Sequence, residues 1–337
     1  VGLLALLGLF GLAGSLAAGP RLAAASLRFG GSPRLPVAEW ASLNYRLENP
    51  DGRTVTVRLS VRATAHARAV FEREVVLPPR TVLSGQELIT ADASEEYIVS
   101  LFEGTQRLER TQLPVRAMDQ PQAAAVVVLN DGAETSNASA LARLAGLDTS
   151  VNVTTMSARQ APHHWAVYGH TRLVLVLQPN YRELTSAQFE AVNQHVQRGG
   201  TVLFGEPHGT LEAADTPWSG LLPVLPSGVR RVEAVPALDD WGARWWSALP
   251  AAQRAGPRQT LADRDGISCL ESSERGDGLT VLRQDGMPLL RWQRCGLGRA
   301  GVVAIDPCQT RLADGGVMVP LWNHILSQAP PVFSLGN

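Results

Sequence analysis

The stretch from Thr171 to Pro207 constrains this chain more than any other, because it reads as strand, loop, helix, glycine stop and strand in immediate succession. Leu173 to Leu177 is a continuous apolar run, the pattern of a strand buried on both faces. Thr185 followed by Gln188 has the spacing of a capping box, in which a hydroxyl and an amide satisfy the open N–H groups of a helix start. The spacing predicts a helix from Ser186. Phe189, Val192 and Val196 recur on one face of it, and Gly199 supplies a left-handed stop. A buried strand, Thr201 to Phe204, follows at once. Two such strands joined by a crossover helix close as a right-handed parallel unit, so the segment predicts the centre of an open α/β sheet.

The flanks extend this pattern. Ala124 to Leu129 reads as a buried strand ended by Asn130-Asp131-Gly132, a helix is expected from Ser136 to a stop at Gly146, and Val151 and Val153 open another strand. Downstream, Ile267 to Glu271, Leu279 to Arg283, Leu289 to Arg294 and Val302 to Ile305 are strand-like, with a hairpin turn at Asp285-Gly286 and a closing helix from Val319 to Leu326. Upstream, Val55, Val57, Leu59 and Val61 alternate with polar residues, and Tyr97, Val99 and Leu101 repeat the pattern. Six or seven short antiparallel strands between residues 35 and 118 predict an immunoglobulin-like or fibronectin-like β-sandwich. The expected fold class is α/β plus all-β. Residues 1–20 are expected as a transmembrane anchor, 21–34 and 119–122 as linkers, 35–118 as the sandwich and 123–330 as a parallel-sheet domain of flavodoxin-like type. Residues 331–337 form a tail.

The anchor is read from Gly2 to Gly19, which carries no charge and, as a helix, reaches roughly 27 Å, enough to span a bilayer. A cleaved leader is the competing reading, since Ala23-Ala24-Ala25 before Ser26 offers a small-residue cleavage site. Arg21, Arg28 and Arg34 follow the span and, counted literally, would leave the rest of the chain in the cytoplasm. The domain types favour a periplasmic soluble part on a bacterial inner membrane.

Composition excludes several chemistries. All 30 basic residues are Arg, so Schiff-base catalysis, pyridoxal phosphate attachment and a Walker-type lysine are ruled out. A net charge of -1 without a basic block argues against nucleic acid as a partner. Cys269, Cys295 and Cys308 are too few for a disulfide scaffold and lack metal-ligand spacing. His163, His164 and His170 are the densest histidine cluster, with a loop after Pro162 as the commoner meaning. No metal and no cofactor are expected.

The run from Ala125 to Pro207, with the helix ending in Arg198-Gly199-Gly200, resembles the class I glutamine amidotransferase-like fold. The tail PLLRWQRCGLGRAGVVAIDP followed by PLWNHIL resembles the end of amidotransferase-like domains in membrane-anchored bacterial proteins, where β-sandwich domains often sit beside the membrane helix. The resemblance implies a Cys nucleophile on the turn after Thr201 to Phe204, and a His and Glu after a late strand. Here the first turn reads Gly205-Glu206-Pro207-His208 and the late strand ends in Ile305-Asp306-Pro307-Cys308. Acyl transfer needs a nucleophile, a base and an orienting acid together, so the resemblance implies a degenerate domain without glutaminase activity.

Glu206, His208 and Asp306 still lie at strand ends, where open α/β sheets bind ligands, so they are the candidate small-molecule residues; the alternative is that the carboxylates cap nearby backbone or pair with Arg. The insertion from Pro217 to Pro257 holds Trp218, Trp241, Trp245 and Trp246. Asp239 or Asp240 is expected to cap a short helix there. Trp218, Arg244 and Trp246 are the candidate partner contacts, against the alternative that the indoles plug the end of the sheet. The leading expectation is a non-catalytic, membrane-anchored interaction protein. It would bind lipid through residues 2–19 and other integral membrane subunits of a larger complex. A ligand sensor near Glu206 is the alternative, and a hydrolase with a displaced nucleophile comes third.

Overall fold

The computed structural model describes residues 19–28, 34–35, 39–64, 69–91, 96–114, 116–117, 124–132, 151–169, 171–248, 262–308 and 318–328. The chain divides into two compact units, one of residues 1–26, 43–87 and 94–114, the other of residues 27–42, 88–93 and 115–337.

In the first unit, β4 (Val55–Ala63), β5 (Ala69–Leu77), β7 (Glu96–Glu103) and β8 (Gln106–Pro114) form a four-stranded antiparallel sheet in the order β5-β4-β7-β8. A three-stranded sheet runs β1 (Arg21–Arg28), β3 (Glu39–Asn49), β6 (Thr81–Ala91), with most of its residues in the same unit. The period-2 pattern sets the burial. Leu59, Val61, Tyr97, Val99 and Leu101 on one sheet, and Leu43 and Leu47 on the other, are fully buried. Asn49 ties β3 to the end of β5: its amide donates to the carbonyls of Leu77 at 3.0 Å and Pro78 at 2.9 Å.

The second unit opens with the short parallel pair β2 (Arg34–Leu35) and β9 (Arg116–Ala117). It is built on β10 (Ala124–Leu129), β11 (Val151–Met156), β12 (Thr171–Val176), β13 (Thr201–Phe204), β16 (Leu279–Gln284), β17 (Met287–Cys295) and β18 (Gly298–Val303). Their order is β11-β10-β12-β13-β18-β17-β16. From β11 to β18 every neighbour is parallel, whereas β17 and β16 are added antiparallel. The β16–β17 turn has positive φ at Asp285 and Gly286, the geometry of a two-residue hairpin. A separate ribbon pairs β14 (Val224–Ala234) with β15 (Ala262–Glu274).

The crossover between β12 and β13 is α1 (Ser186–Gln197), and its capping box is present: Thr185 N–H donates to Gln188 Oε1 at 2.8 Å and Gln188 N–H to Thr185 Oγ1 at 3.3 Å. Gly199 ends it at φ 114. The other described α-helices are α2 (Pro207–Ala213), α3 (Pro236–Ala248) and α4 (Met318–Gln328).

The expected fold class is corrected by this arrangement. The described residues are mostly strands, in five sheets, with four α-helices, and none of those helices is long and apolar enough to cross a membrane. Residues 1–18, with most of the expected anchor, lie outside the described residues. The expected membrane, periplasmic and inner-membrane assignments are therefore withdrawn, since no described helix supports a membrane span. The large sheet is mixed and not parallel throughout, because the late strands return as hairpins. Residues 21–34 were expected as a linker, yet Arg21–Arg28 is a strand whose Leu22 and Leu27 are buried. The insertion helix starts at Pro236, so Asp239 lies in its first turn and does not cap it. The helix expected from Ser136, the 119–122 linker and the tail lie outside the described residues.

Candidate functional site

The parallel strands bring the turns after β10, β12, β13 and β18 to one end of the sheet. Gly205, just past β13, lies against Pro307, just past β18: a Cβ at Gly205 would stand 3.0 Å from the Pro307 ring. The turns that carry Glu206 and Asp306 are therefore neighbours. Each carboxylate accepts from backbone close by. Glu206 is the N-cap of α2 and accepts from the Gly209 N–H, with Pro207 at the first helical position. Asp306 accepts from the Cys308 N–H at 2.8 Å. His208 follows on the first turn of α2 and is exposed.

Two constraints fix α2 in place. A Cβ at Gly209 would lie 1.9 Å from the Leu177 carbonyl oxygen, so only glycine allows this approach. Tyr181 Oη donates to the Gly209 carbonyl at 2.8 Å. Burial, then the charges of Glu212 and Glu206, raises the Tyr181 phenol far above its usual range, so it stays a donor.

Asp131, at the end of β10, is the residue that sequence reasoning missed. Its carboxylate accepts from Ala158 N–H at 2.9 Å and Asn180 N–H at 2.7 Å, joining the loops after β11 and β12. The only local signal was Asn130-Asp131-Gly132, read as a strand end.

The thiols are poorly placed for nucleophilic chemistry. Cys308 is fully buried, and burial followed by the Asp306 charge pushes its pKa well above the ordinary value. Burial pushes Cys269 to about 11 and also raises Cys295. All three are free.

His164 accepts the Ala166 N–H on Nδ1 at 3.2 Å, capping a 3-10 helix at Trp165–Tyr168, while His170 lies outside the described residues. Among the described residues no group of three His, Cys, Asp or Glu side chains is placed to hold a metal.

Trp218 is corrected as a partner contact. It is fully buried, its indole N–H donates to the Phe189 carbonyl at 3.0 Å, and it packs edge-on against Phe189, Phe204 and Tyr181. It plugs the space between α1 and β13. Trp241 packs edge-on against His324 of α4, and Arg244 is exposed on α3. The Trp246 side chain lies outside the described residues.

No family model matches the chain, and no curated protein does. Among solved structures the chain is similar to Cytoplasmic Protein STM3548 from Salmonella typhimurium, at 13% identity over 61% of this chain and 98% of that one, with a TM-score of 0.44. Cytoplasmic Protein STM1381 from Salmonella typhimurium LT2 gives 10% identity, 61% and 100% coverage and a TM-score of 0.46. Exo-beta-1,4-mannosidase Op5Man5 from Opitutaceae bacterium strain TAV5 gives 14%, 62% and 36%, and 0.39. These superpositions are too loose to carry a statement about activity, substrate or location.

Proposed function

We propose that this chain is a non-catalytic interaction module that engages a protein partner through α3, with the exposed Arg244 at the contact. One observation carries the reading. At the end of β13, the position a nucleophile would need, the side chain is Glu206, and its carboxylate closes the first turn of α2 by accepting the Gly209 N–H. A carboxylate held in that way is a poor base for a distant substrate. The buried, high-pKa Cys308 thiol in the neighbouring turn supports the same reading. Arg is among the residue types enriched at interface hot spots, and Arg244 projects from a helix anchored by Trp241 against His324.

The test has two arms. Purified chain incubated with glutamine should release no ammonia, and affinity capture should recover a stoichiometric protein that an Arg244→Glu variant loses. Ammonia release that disappears in Cys308→Ala, or full retention of the partner by Arg244→Glu, overturns the reading.

A further inference from the structure

The β17–β18 hairpin sets two arginines directly opposite one another: Arg294 is the register partner of Arg299. Like charges so opposed are unfavourable. Trp292 pairs with Leu279 on one side and Gly301 on the other. Because side chains alternate along a strand, Leu279, Trp292, Arg294 and Arg299 share one face of the sheet. Gly301 provides its floor, since a Cβ there would lie 2.4 Å from the Trp292 ring. A cavity of about 270 Å³ opens here, lined by Asp277, Leu279, Trp292, Gln293, Arg294, Arg299 and Gln328.

The lining holds more donors than acceptors. Trp292 is only 4% exposed, and its indole N–H has no acceptor among the described residues. A buried polar group left in that state is uncommon and calls for a partner. The Arg294 guanidinium is held by no ion pair or hydrogen bond among the described residues. Arg299 donates to Gln328 Oε1 at 2.5 Å, and Asp277 is the single carboxylate in the lining. Beside these donors Leu279 is 67% exposed, which gives the cavity an apolar wall.

We propose that this cavity binds a small organic carboxylate, with its anionic end between the Arg294 and Arg299 guanidiniums and its apolar body against Leu279. A guanidinium fork matches a carboxylate in charge and geometry. The volume lies near the lower end for small-molecule sites, roughly 300 Å³, so the body is about one ring in size. A phosphate would satisfy the same donors without using the apolar wall.

Benzoate, acetate and inorganic phosphate separate these cases. Benzoate titrated into the ¹⁵N-labelled chain should move one indole Nε1–H resonance saturably, identified as Trp292 by its loss in Trp292→Phe. Arg294→Gln, an exposed change, should weaken benzoate by about 10- to 100-fold, the range for losing a hydrogen bond to a charged group. Acetate and phosphate should bind more weakly than benzoate. Calorimetry of benzoate binding to the chain and to Arg294→Gln reads the same difference if Trp292→Phe does not fold. The proposal is overturned by the absence of saturable benzoate binding, by Arg294→Gln leaving it unchanged, or by acetate or phosphate binding as tightly as benzoate.

Discussion

Arg291 and Arg294 stand on the same strand and meet opposite environments. Arg291 is 2% exposed, and its guanidinium donates to the carbonyls of Pro223 at 3.0 Å and Gly276 at 2.8 Å and to Thr280 Oγ1 at 2.5 Å, with Glu274 at 3.2 Å. Arg294 is exposed and has no such set. Burial of a charge is tolerable only where every donor finds an acceptor, so Arg291 is a clamp that ties β17 to β16, to the turn before it and to the segment before β14. Arg294 carries a charge that the fold leaves available. The difference separates polar groups that hold this protein together from those open to a ligand.

Removing the clamp should have the largest effect. Arg291→Met keeps the length of the side chain but strands the carbonyls of Pro223 and Gly276, and it removes a counter-charge from Glu274. The expected loss is about 3 kcal/mol of stability, seen as a fall of roughly 6–12 °C in the unfolding midpoint of the second unit. A change within the scatter of surface substitutions would break the contrast with Arg294.

Clamps of this kind are the part of the fold that the sequence hides. Strand, capping box and glycine stop around α1 were legible because each depends on residues within a few positions of one another. The further role of Gln188 was not legible: its amide donates to the carbonyls of Ala158 at 2.9 Å and Ala161 at 2.7 Å, partners set by tertiary folding. Arg291 read only as one residue of a strand, since its acceptors lie on other segments, from Thr280 on the neighbouring strand to Pro223 far away in sequence. The Asp131 bridge between two loops was invisible for the same reason. Trp218 stood as a candidate partner contact with a plug as the alternative, and only the tertiary fold shows that Phe189, Phe204 and Tyr181 enclose it. Hydropathy at the N-terminus drew attention from Arg21–Arg28, where the run of small alanines masks the alternation of a strand. The Arg294–Arg299 face was hidden as well, because it needs the register of two strands.

His195 offers a third case, buried with one ring nitrogen unsatisfied. It is 6% exposed on α1, its Nε2 has no hydrogen-bond partner among the described residues, and it lies beside Gly200, where a Cβ would sit 2.2 Å from that nitrogen. Burial lowers its pKa from 6.5 to about 4. The fold favours neutral imidazole, so this contribution is fully present above pH 6.5 and is lost as pH falls from 6.5 towards 4. The loss should reach about 2 kcal/mol at pH 5. Denaturant titrations at pH 7 and pH 5 measure it. His163 and His324 shift in the same direction, so the diagnostic quantity is the part of the slope that His195→Gln removes. An unchanged slope in that variant would show that His195 finds a partner that stabilises its charged form.

Glu206 tests the strand-end turn with a smaller effect. If its carboxylate acts chiefly as the N-cap of α2, Glu206→Ala should cost about 1 kcal/mol, the usual loss for a cap. Glu206→Asp should recover part of that, since a shorter carboxylate also caps. Thermal unfolding of the three proteins gives the order. Equal stability of all three would mean that the carboxylate is not needed by the helix and is free for a ligand, which would favour the sensor reading of this turn.

The smallest effect, and the sharpest test of the comparison, belongs to Arg294. Surface substitutions away from buried networks usually change stability by less than about 0.5 kcal/mol. Here the sign is also fixed, because Arg294 faces Arg299 across β17 and β18. Arg294→Gln relieves a like-charge pair and should raise stability by a few tenths of a kcal/mol at low salt. Salt screens exposed charges over about 10 Å at 0.1 M, so the gain should shrink as ionic strength rises. The same substitution at Arg291 would behave in the opposite way, losing stability at every salt concentration, because a buried, hydrogen-bonded guanidinium is screened very little. Unfolding of Arg294→Gln and Arg291→Gln across a salt series therefore reads both faces of β17 in one experiment. A destabilised Arg294→Gln with no dependence on salt would place Arg294 among the clamps, and the donor-rich face of the hairpin would then belong to the structural framework.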